Sequence, residues 1–182
     1  MNSKKAIIKT TLDLLKTQSI NRITVKQILD QSEVSKGTFY KYFEDKFDVV
    51  NVYYEEYYYD VIKNESYSIE EATQKIFAFY TDNKYIIRNA FDFSGTNSLL
   101  EYTFDILYNF YKKTWLNGTK EKELPLDVHL TFVYHCNGLV SLYKEVIYSD
   151  VDYDSGYISD FALSFQPDVV KPYLMQTNYP EK

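Results

Sequence analysis

The sequence predicts an all-α fold, and three observations favour it. Chain-breaking residues are few, with 5 Gly and 4 Pro among 182 residues. Hydrophobic residues make up 45% of the chain and recur over long stretches at helical spacing, which supplies material for a core. The length suits either one mid-sized domain or a small module joined to a larger one.

Composition also limits where the protein acts. Cys136 is the single cysteine, so an internal disulfide is excluded and a reducing cytoplasm is expected. Lys9 interrupts the apolar run at residues 6–8 well before it reaches the length of a signal-peptide core. No stretch approaches the roughly 18 apolar residues that cross a bilayer. We therefore expect a soluble, cytoplasmic protein without a membrane partner.

Charge is divided unevenly along the chain. The net charge is −6, but residues 1–50 hold nine Lys and Arg against six Asp and Glu, and residues 51–182 hold eleven against twenty. A basic amino-terminal part on an acidic body suits a protein that presents one face to a polyanion. An excess of three positive charges in 50 residues also arises by chance, so this asymmetry carries little weight alone.

The amino-terminal elements follow from capping signals. Ser3 is a candidate cap for a first helix with an apolar face, and residues 18–22 form the connection that follows it. Thr24 and Gln27 form a capping box, with Ile23 and Ile28 at hydrophobic-staple positions, so a second helix is predicted from Val25.

The next two helices have caps of the same kind. Ser35 is predicted to cap a third helix and Asp45 a fourth. Two short helices separated by three or four turn residues have the spacing of a helix-turn-helix.

Lysines stand in the first turn of three of these helices, namely Lys26, Lys36 and Lys46. A cation is unfavourable at a helix amino terminus because the macrodipole is positive there. The placement is explained if an anion lies outside, and DNA phosphates bind such termini together with lysine. The alternative is that all three are ordinary solvated surface residues.

The third helix is predicted to divide into two faces. Phe39 and Phe43, four residues apart, point into the module. Gly37 is costly inside a helix unless something approaches the backbone closely. Thr38 and Lys41 have the chemistry to read base edges, and tyrosine hydroxyls can bond phosphates. The outward residues are Lys36, Gly37, Thr38, Tyr40, Lys41 and Tyr42.

These segments resemble the signature of TetR/AcrR-type transcriptional regulators. The residues that carry the resemblance are Thr24-Val-Lys-Gln-Ile, Val34-Ser-Lys-Gly-Thr-Phe-Tyr-Lys-Tyr-Phe and Asp45-Lys-Phe-Asp-Val, within about residues 5–50. The resemblance implies a homodimer of all-helical subunits, each with a three-helix, helix-turn-helix DNA-binding domain and a larger helical effector-binding and dimerisation domain. We place these domains at residues 1–47 and 48–182. The predicted DNA-binding residues are Thr24, Lys26, Ser35, Lys36, Gly37, Thr38, Tyr40, Lys41, Tyr42 and Lys46.

Two residues depart from the family pattern. Glu33 stands where the family usually has Gly in the turn, so a positive φ at a cost of roughly 1 kcal/mol is expected there. Ser19 replaces the usual Gly after the first helix.

The body is predicted to be helical throughout. A helix continues from Lys46 to about residue 63, and Ser68 caps the next, which breaks near residues 82–83 before a short segment at 85–91. Thr96 or Ser98 begins a helix capped at its end by Gly118. Pro125 is placed at a first helical position, and Ser155 is predicted to cap a last helix.

The last two long helices carry apolar stripes and are predicted to form the dimer interface, with Gly138 allowing close approach. Alternatively, they only cover the core of one subunit. An effector cavity is a second open question, because a set of aromatic residues is compatible with either a pocket or a solid core. That set is Phe79, Tyr80, Phe91, Phe104, Tyr108, Tyr111, Trp115 and Tyr134.

The sequence lacks the residue combinations that the catalytic sites considered would require. His129, His135 and Cys136 are too few for a zinc site, and no phosphate-binding glycine loop is present. We therefore predict no enzyme, no metal and no cofactor. The predicted function is that of a transcriptional repressor that binds a near-palindromic operator as a homodimer and is released by a small-molecule effector. The alternatives are an activator or a regulator that works through protein partners, and a helical protein-interaction module that does not bind DNA.

Overall fold

The computed structural model describes residues 2–62, 67–93 and 98–174, and all regular structure within those ranges is α-helical. The prediction of an all-α fold is confirmed. None of the described helices combines the length and the apolar character that a membrane crossing requires. The helices are α1 (Ser3–Leu15), α2 (Val25–Ser32), α3 (Lys36–Tyr42), α4 (Lys46–Ile62), α5 (Ile69–Asp82), α6 (Lys84–Phe91), α7 (Leu99–Thr119), α8 (Leu126–Tyr148), α9 (Ser155–Ser164) and α10 (Lys171–Leu174).

Side-chain caps fix most of the predicted helix starts. The Thr24 hydroxyl accepts the Gln27 amide at 3.2 Å while the Gln27 side chain accepts the Thr24 amide at 2.8 Å, which is the predicted capping box. Ser35 accepts the Thr38 amide at 3.2 Å at the start of α3. Asp45 accepts the Phe47 and Asp48 amides, both at 2.8 Å, at the start of α4.

Three predicted helix starts are displaced by one residue. Asn2, and not Ser3, accepts the Lys4 amide at the start of α1. Asp154, and not Ser155, accepts the Tyr157 amide at 2.8 Å at the start of α9. Pro125 is itself the N-cap of α8 and precedes the first helical residue. Asn and Asp cap at least as well as Ser, so each of the first two starts offered two adjacent candidates.

Ser98 begins α7, because its hydroxyl accepts the Glu101 amide at 3.2 Å. The other candidate for this start, Thr96, lies outside the described residues. The prediction that Gly118 caps the end of α7 is wrong. The helix runs on to Thr119, and the left-handed residue is Lys120 at φ 63°. Gly118 instead lies against the Tyr173 ring, which occupies the space where a Cβ would stand.

The chain divides into two compact units. The first contains residues 1–57 and 83–102, and the second contains residues 58–82 and 103–182. The boundaries fall inside α4 and α7, so the chain crosses between the units within helices as well as after α5. The predicted DNA-binding domain, residues 1–47, lies within the first unit, and its functional boundary stays a prediction.

The first unit is organised around α1. This helix packs against α2, α3 and α6. The side chains of Ile7, Leu15, Ile20, Ile23 and Ile28 are fully buried, as are those of Phe39 and Phe43 from the segment that follows. Burying such side chains removes about 1.5–3 kcal/mol of hydration penalty each, which holds these short helices together although none would be stable alone.

The second unit has an aromatic core. Helix α5 packs against α8 and α9, and the Tyr80 and Tyr143 rings stack with centroids 4.2 Å apart. Phe77 lies against Tyr143 at 5.1 Å. Rings in such contact fill space at high density and contribute beyond their buried area.

A buried polar group accompanies that core. The Tyr111 hydroxyl donates to Gln166 Oε1 at 2.9 Å and lies 3.0 Å from His135 Nε2. Because the single tyrosine proton is used by Gln166, Nε2 of His135 is the donor to Tyr111. Burial lowers the pKa of His135 to about 4. The adjacent Cys136 is fully buried, which raises the pKa of its thiol to about 12.

Candidate nucleic-acid interface

The turn between α2 and α3 is tight and strained at one residue. Glu33 ends α2 in the left-handed region, at φ 55° and ψ 29°, as expected from its position in the sequence. Residues other than Gly and Asn adopt this conformation at a cost. The turn brings Ser35 to the start of α3 two residues later, so α2 and α3 follow one another with helix-turn-helix spacing.

Helix α3 has one buried face, and it is aromatic. Phe39 is fully buried and Phe43, which follows the helix, is 2% exposed, with ring centroids 5.8 Å apart. These two side chains anchor α3 on the module, as predicted from their spacing. The remaining side chains of the helix therefore point outward.

The structure places eight of the ten predicted DNA-binding residues on the surface. Tyr40 is 50% exposed and Tyr42 is 37% exposed. Thr38 is half-buried and is not among the eight. Its hydroxyl lies 2.9 Å from that of Ser35, so a hydrogen bond fixes the two side chains at the helix start. The eight exposed residues are Thr24, Lys26, Ser35, Lys36, Gly37, Tyr40, Lys41 and Tyr42.

The exposed cations of this surface have no carboxylate partner among the described residues. The Lys36 ammonium stands 6.0 Å from the centre of the Tyr40 ring, and Lys41 stands 5.7 Å from the Tyr42 ring. Contacts of this length and exposure are weak. Lys36 and Lys41 therefore keep most of their charge available to an external anion, and each stands beside a tyrosine ring of α3.

Gly37 lies in the first turn of α3 with open space beside it. No atom lies within 4 Å of the position that a Cβ would take. The protein's own packing therefore does not require glycine at this position, although glycine costs about 0.5–1 kcal/mol inside a helix. A ligand that approaches the backbone closely is a sufficient reason for it.

Lys46 differs from the other predicted contacts. Its ammonium is half-buried and donates to the carbonyl oxygens of Ile20 and Ile23, both at 2.7 Å, and of Asn21 at 3.2 Å. Burial lowers the pKa of the Lys46 ammonium, and the neighbouring Asp45 carboxylate opposes that shift. The structure thus directs Lys46 to residues 20–23 of its own chain.

The sequence did not indicate two further polar residues that hold the same connection. Asn89 Nδ2 donates to the Leu15 carbonyl at 2.8 Å, and the Asn89 carbonyl accepts the Ile20 amide at 2.9 Å. Asn21 Nδ2 donates to the Asp92 carbonyl at 2.7 Å. The partners are separated by more than 65 residues in sequence, so no local pattern could reveal them.

Comparison with known proteins agrees with this geometry. Residues 7–52 match the family described as bacterial regulatory proteins, tetR family. A segment of 39 residues is 46% identical to the uncharacterized HTH-type transcriptional regulator YxbF of Bacillus subtilis (strain 168). That match spans 21% of this chain and 10% of YxbF.

Solved structures share the fold over nearly the whole chain. The dihydroxyacetone kinase operon activator DhaS superposes with a TM-score of 0.65 at 14% identity, over 94% of this chain and 98% of that one. The regulator FadR of Bacillus subtilis, solved with stearoyl-CoA, has a TM-score of 0.57 at 19% identity, over 96% of this chain and 98% of that one.

A TetR-family regulator from Syntrophomonas wolfei str. Goettingen has a TM-score of 0.55 at 19% identity, over 90% of this chain and 92% of that one. The identities of these solved proteins are low, so they establish the shared fold, whereas the match over residues 7–52 adds the family's own amino-terminal segment. Residues 7–52 therefore carry the amino-terminal segment of the tetR family of bacterial regulatory proteins, and the chain shares the fold of these solved regulators.

Proposed function

We propose that this regulator binds an inverted-repeat DNA operator as a homodimer and represses transcription until an effector releases it. One observation carries the DNA-binding part: α3 is anchored by Phe39 and Phe43 and presents Lys36, Gly37 and Tyr40 to solvent. In this arrangement a recognition helix enters the major groove by its amino-terminal residues. Chromosomal DNA as the ligand places the activity in the cytoplasm.

Each predicted contact has a role that its chemistry supports. Lys26, Lys36 and Lys41 neutralise phosphates, and the hydroxyls of Thr24, Tyr40 and Tyr42 bond phosphate oxygens. Ser35 and Thr38 lie at the helix start, where their hydroxyls reach base edges or the thymine methyl group. Gly37 lets the sugar-phosphate chain approach the helix backbone.

The dimer is supported by an apolar surface on α8 and α9. Leu126, Leu130 and Tyr134 follow one another every four residues along α8 and are 71%, 55% and 85% exposed. Phe161 of α9 and Phe165, which directly follows that helix, are likewise exposed, with ring centroids 5.0 Å apart. Exposed apolar patches of this kind mark interfaces in soluble proteins.

A groove in the same surface also supports packing against a second copy of the chain. An open groove of about 850 Å³ runs between α8 and α9, and it is bordered by Leu130, Tyr134, Gly138 and Phe165. Nothing lies within 4 Å of a Cβ at Gly138, which leaves α8 accessible there to a neighbouring helix. A two-fold dimer supplies the pair of recognition helices that an inverted repeat requires.

The effector is the least constrained part of the proposal. Of the aromatic residues considered for a cavity, Tyr80 and Tyr111 are buried in ring contacts, whereas Tyr134 is on the surface. Because FadR of Bacillus subtilis was solved with stearoyl-CoA, long-chain acyl-CoA is the first compound class to test. Effector binding and operator binding must then weaken each other by the same factor.

A second candidate function is an activator that responds to a protein partner. DhaS, which shares the fold, is named an operon activator. The stacked Tyr80 and Tyr143 rings also occupy the interior of the second unit. An acyl-CoA that leaves operator affinity unchanged, together with higher promoter output when the regulator is present, would favour this candidate.

The decisive experiment selects duplexes from a random library with the full chain and measures their affinity by fluorescence anisotropy. We expect an inverted repeat and a steep fall of affinity with salt, since each neutralised phosphate adds about 0.9 to the slope of log K against log salt. Tyr40→Ala should weaken binding at least tenfold without changing the sedimentation coefficient. A library that yields no enriched sequence at low salt would favour a helical protein-interaction module instead.

The dimer is tested separately. Tyr134→Asp and Phe165→Asp place a carboxylate on the apolar surface and should give a monomer by analytical ultracentrifugation. Asp160→Asn, on the exposed side of the same α9 helix, is the matched control and should remain dimeric. A dimer that survives both aspartate substitutions would place the interface elsewhere.

A further inference from the structure

Lys46 uses all of its hydrogen-bonding capacity inside the protein. A lysine ammonium carries three donors, and three main-chain carbonyls, those of Ile20, Asn21 and Ile23, lie 2.7–3.2 Å from Nζ. These carbonyls come from the connection between α1 and α2, and the Ile20 carbonyl also accepts the Ile23 amide at 3.2 Å. Hydrogen bonds from a charged donor are stronger than those between neutral groups.

The position of Lys46 in its helix is otherwise unfavourable. It is the first residue of α4, where the helix dipole disfavours a cation. The carbonyl dipoles of the connection offset that cost without any external anion. A phosphate at this site would have to replace at least one carbonyl bond that is already made, which reduces the gain from the contact.

The connection is held from a second side by α6. The Ile20 amide donates to the Asn89 carbonyl at 2.9 Å, and Asn21 Nδ2 donates to the Asp92 carbonyl at 2.7 Å. The same two residues, Ile20 and Asn21, supply two of the three carbonyls that receive Lys46. The start of α4 and the end of α6 thus both bond to one short segment, and that segment leads directly into α2.

We propose that Lys46 is a positioning residue and not a phosphate contact: it fixes the α1–α2 connection to the start of α4 and thereby sets the orientation of the helix-turn-helix. The proposal rests on the proposed DNA binding. It differs from the role that family resemblance implies for this lysine. The surrounding cations Lys26, Lys36 and Lys41 are exposed, make no ion pair within the described part of the chain, and retain the phosphate role.

Arginine substitution separates the two roles. Arg keeps the charge and binds phosphate at least as well as Lys, but its planar fork cannot converge on three carbonyls around one nitrogen. Lys46→Arg should therefore lower affinity for the selected inverted repeat at least tenfold, whereas Lys16→Arg, at an exposed lysine outside the proposed contacts, is the control and should stay within about threefold of the wild type. Equal, near-wild-type affinity in both variants overturns the proposal.

Salt dependence gives a second readout. Lys36→Met removes a phosphate contact from each subunit and should lower the slope of log K against log salt by about 1.8 for the dimer. Lys46→Met should leave the slope unchanged while it lowers affinity. A slope that falls as much in Lys46→Met as in Lys36→Met overturns the proposal.

Half-site spacing distinguishes positioning from a general loss of stability. We expect the wild type to prefer the selected spacing over a duplex lengthened by two base pairs, and Lys46→Arg to lose at least threefold of that preference. A protein that is only destabilised would bind less of both duplexes but keep the wild-type ratio of the two affinities. An unchanged ratio in Lys46→Arg therefore overturns the proposal.

Wild-type protein provides a test if the variants do not fold. Acylation of lysines, followed by mass spectrometry, should show Lys36 and Lys41 protected by the selected duplex and Lys46 labelled equally with and without it. Protection of Lys46 to the same degree as Lys36 overturns the inference. A wild-type chain that enriches no duplex at all refutes the proposed function instead, so the two failures are distinguishable.

Discussion

The Tyr173 ring lies directly against Gly118, at the point where any larger residue would place its Cβ. This contact joins α10 to the last turn of α7, and it explains why a helix of 21 residues tolerates glycine near its end. Gly118→Ala should lower the free energy of unfolding by about 1–2 kcal/mol, because overpacking outweighs the higher helix propensity of Ala. Urea denaturation measures the change.

The partner substitution tests the cause. Adding Tyr173→Ala to Gly118→Ala should restore the part of the free energy of unfolding that Gly118→Ala loses through its clash with the ring. The effects of the two substitutions on stability should therefore be strongly non-additive. Additive effects of the two substitutions would show that the contact is not responsible.

Gly37 is also a helical glycine, but unlike Gly118 it has open space at the position of a Cβ. Because nothing lies within 4 Å of its Cβ position, Gly37→Ala should raise the free energy of unfolding by about 0.5–1 kcal/mol. The added methyl group should nevertheless weaken binding to the selected duplex at least tenfold, since it occupies the space proposed for the DNA backbone. Thermal denaturation and anisotropy on the same sample measure both effects, and unchanged DNA affinity would contradict the assigned role.

Glu33 offers a site where stability can be gained. Its backbone is left-handed at φ 55°, and Gly relieves a strain of about 1 kcal/mol there. Glu33→Gly should therefore be more stable than the wild type by roughly 0.5–1 kcal/mol in urea denaturation. Glu33→Ala removes the same charge but keeps the strain, so a gain of equal size in that control would assign the effect to charge.

His135 should make stability depend on pH. Its pKa is lowered to about 4 by burial, whereas the unfolded side chain titrates near 6.5, so between those values only the unfolded chain binds the proton. The free energy of unfolding should fall as pH drops through this range, by about 2–3 kcal/mol in total. His135→Gln keeps a donor for Tyr111 and should flatten the slope measured by denaturant titration at each pH; an unchanged slope would contradict this.

The features that could be predicted are those written into a few neighbouring residues. The Thr24–Gln27 box and the caps at Ser35 and Asp45 depend on residues three positions apart, so the sequence alone located the starts of α2, α3 and α4. The inward side chains Phe39 and Phe43 followed from helical periodicity in the same way. The residues of α3 that do not occupy these inward positions form its exposed face.

The features that were missed depend on distant contacts. Gly118 was assigned to a helix end because its packing partner, Tyr173, lies far along the chain. The acceptors of Lys46 precede it by 23 to 26 residues, and nothing local shows that a cation in a first turn has internal carbonyls. The sequence shows that Lys46 is an unusual cation in the first turn of a helix. Only the folded structure shows that main-chain carbonyls, in place of a DNA phosphate, accept its hydrogen bonds.

The burial of Cys136 has a practical consequence. It is the only sulfhydryl in the sequence, and with its pKa raised to about 12 it should be inert to maleimides and methanethiosulfonates at neutral pH. A cysteine introduced at exposed Arg22 should then accept a nitroxide selectively in an otherwise native chain. Pulsed electron paramagnetic resonance on the proposed dimer, labelled in this way, would report the distance between the two amino-terminal modules in ångströms, before and after any compound is added.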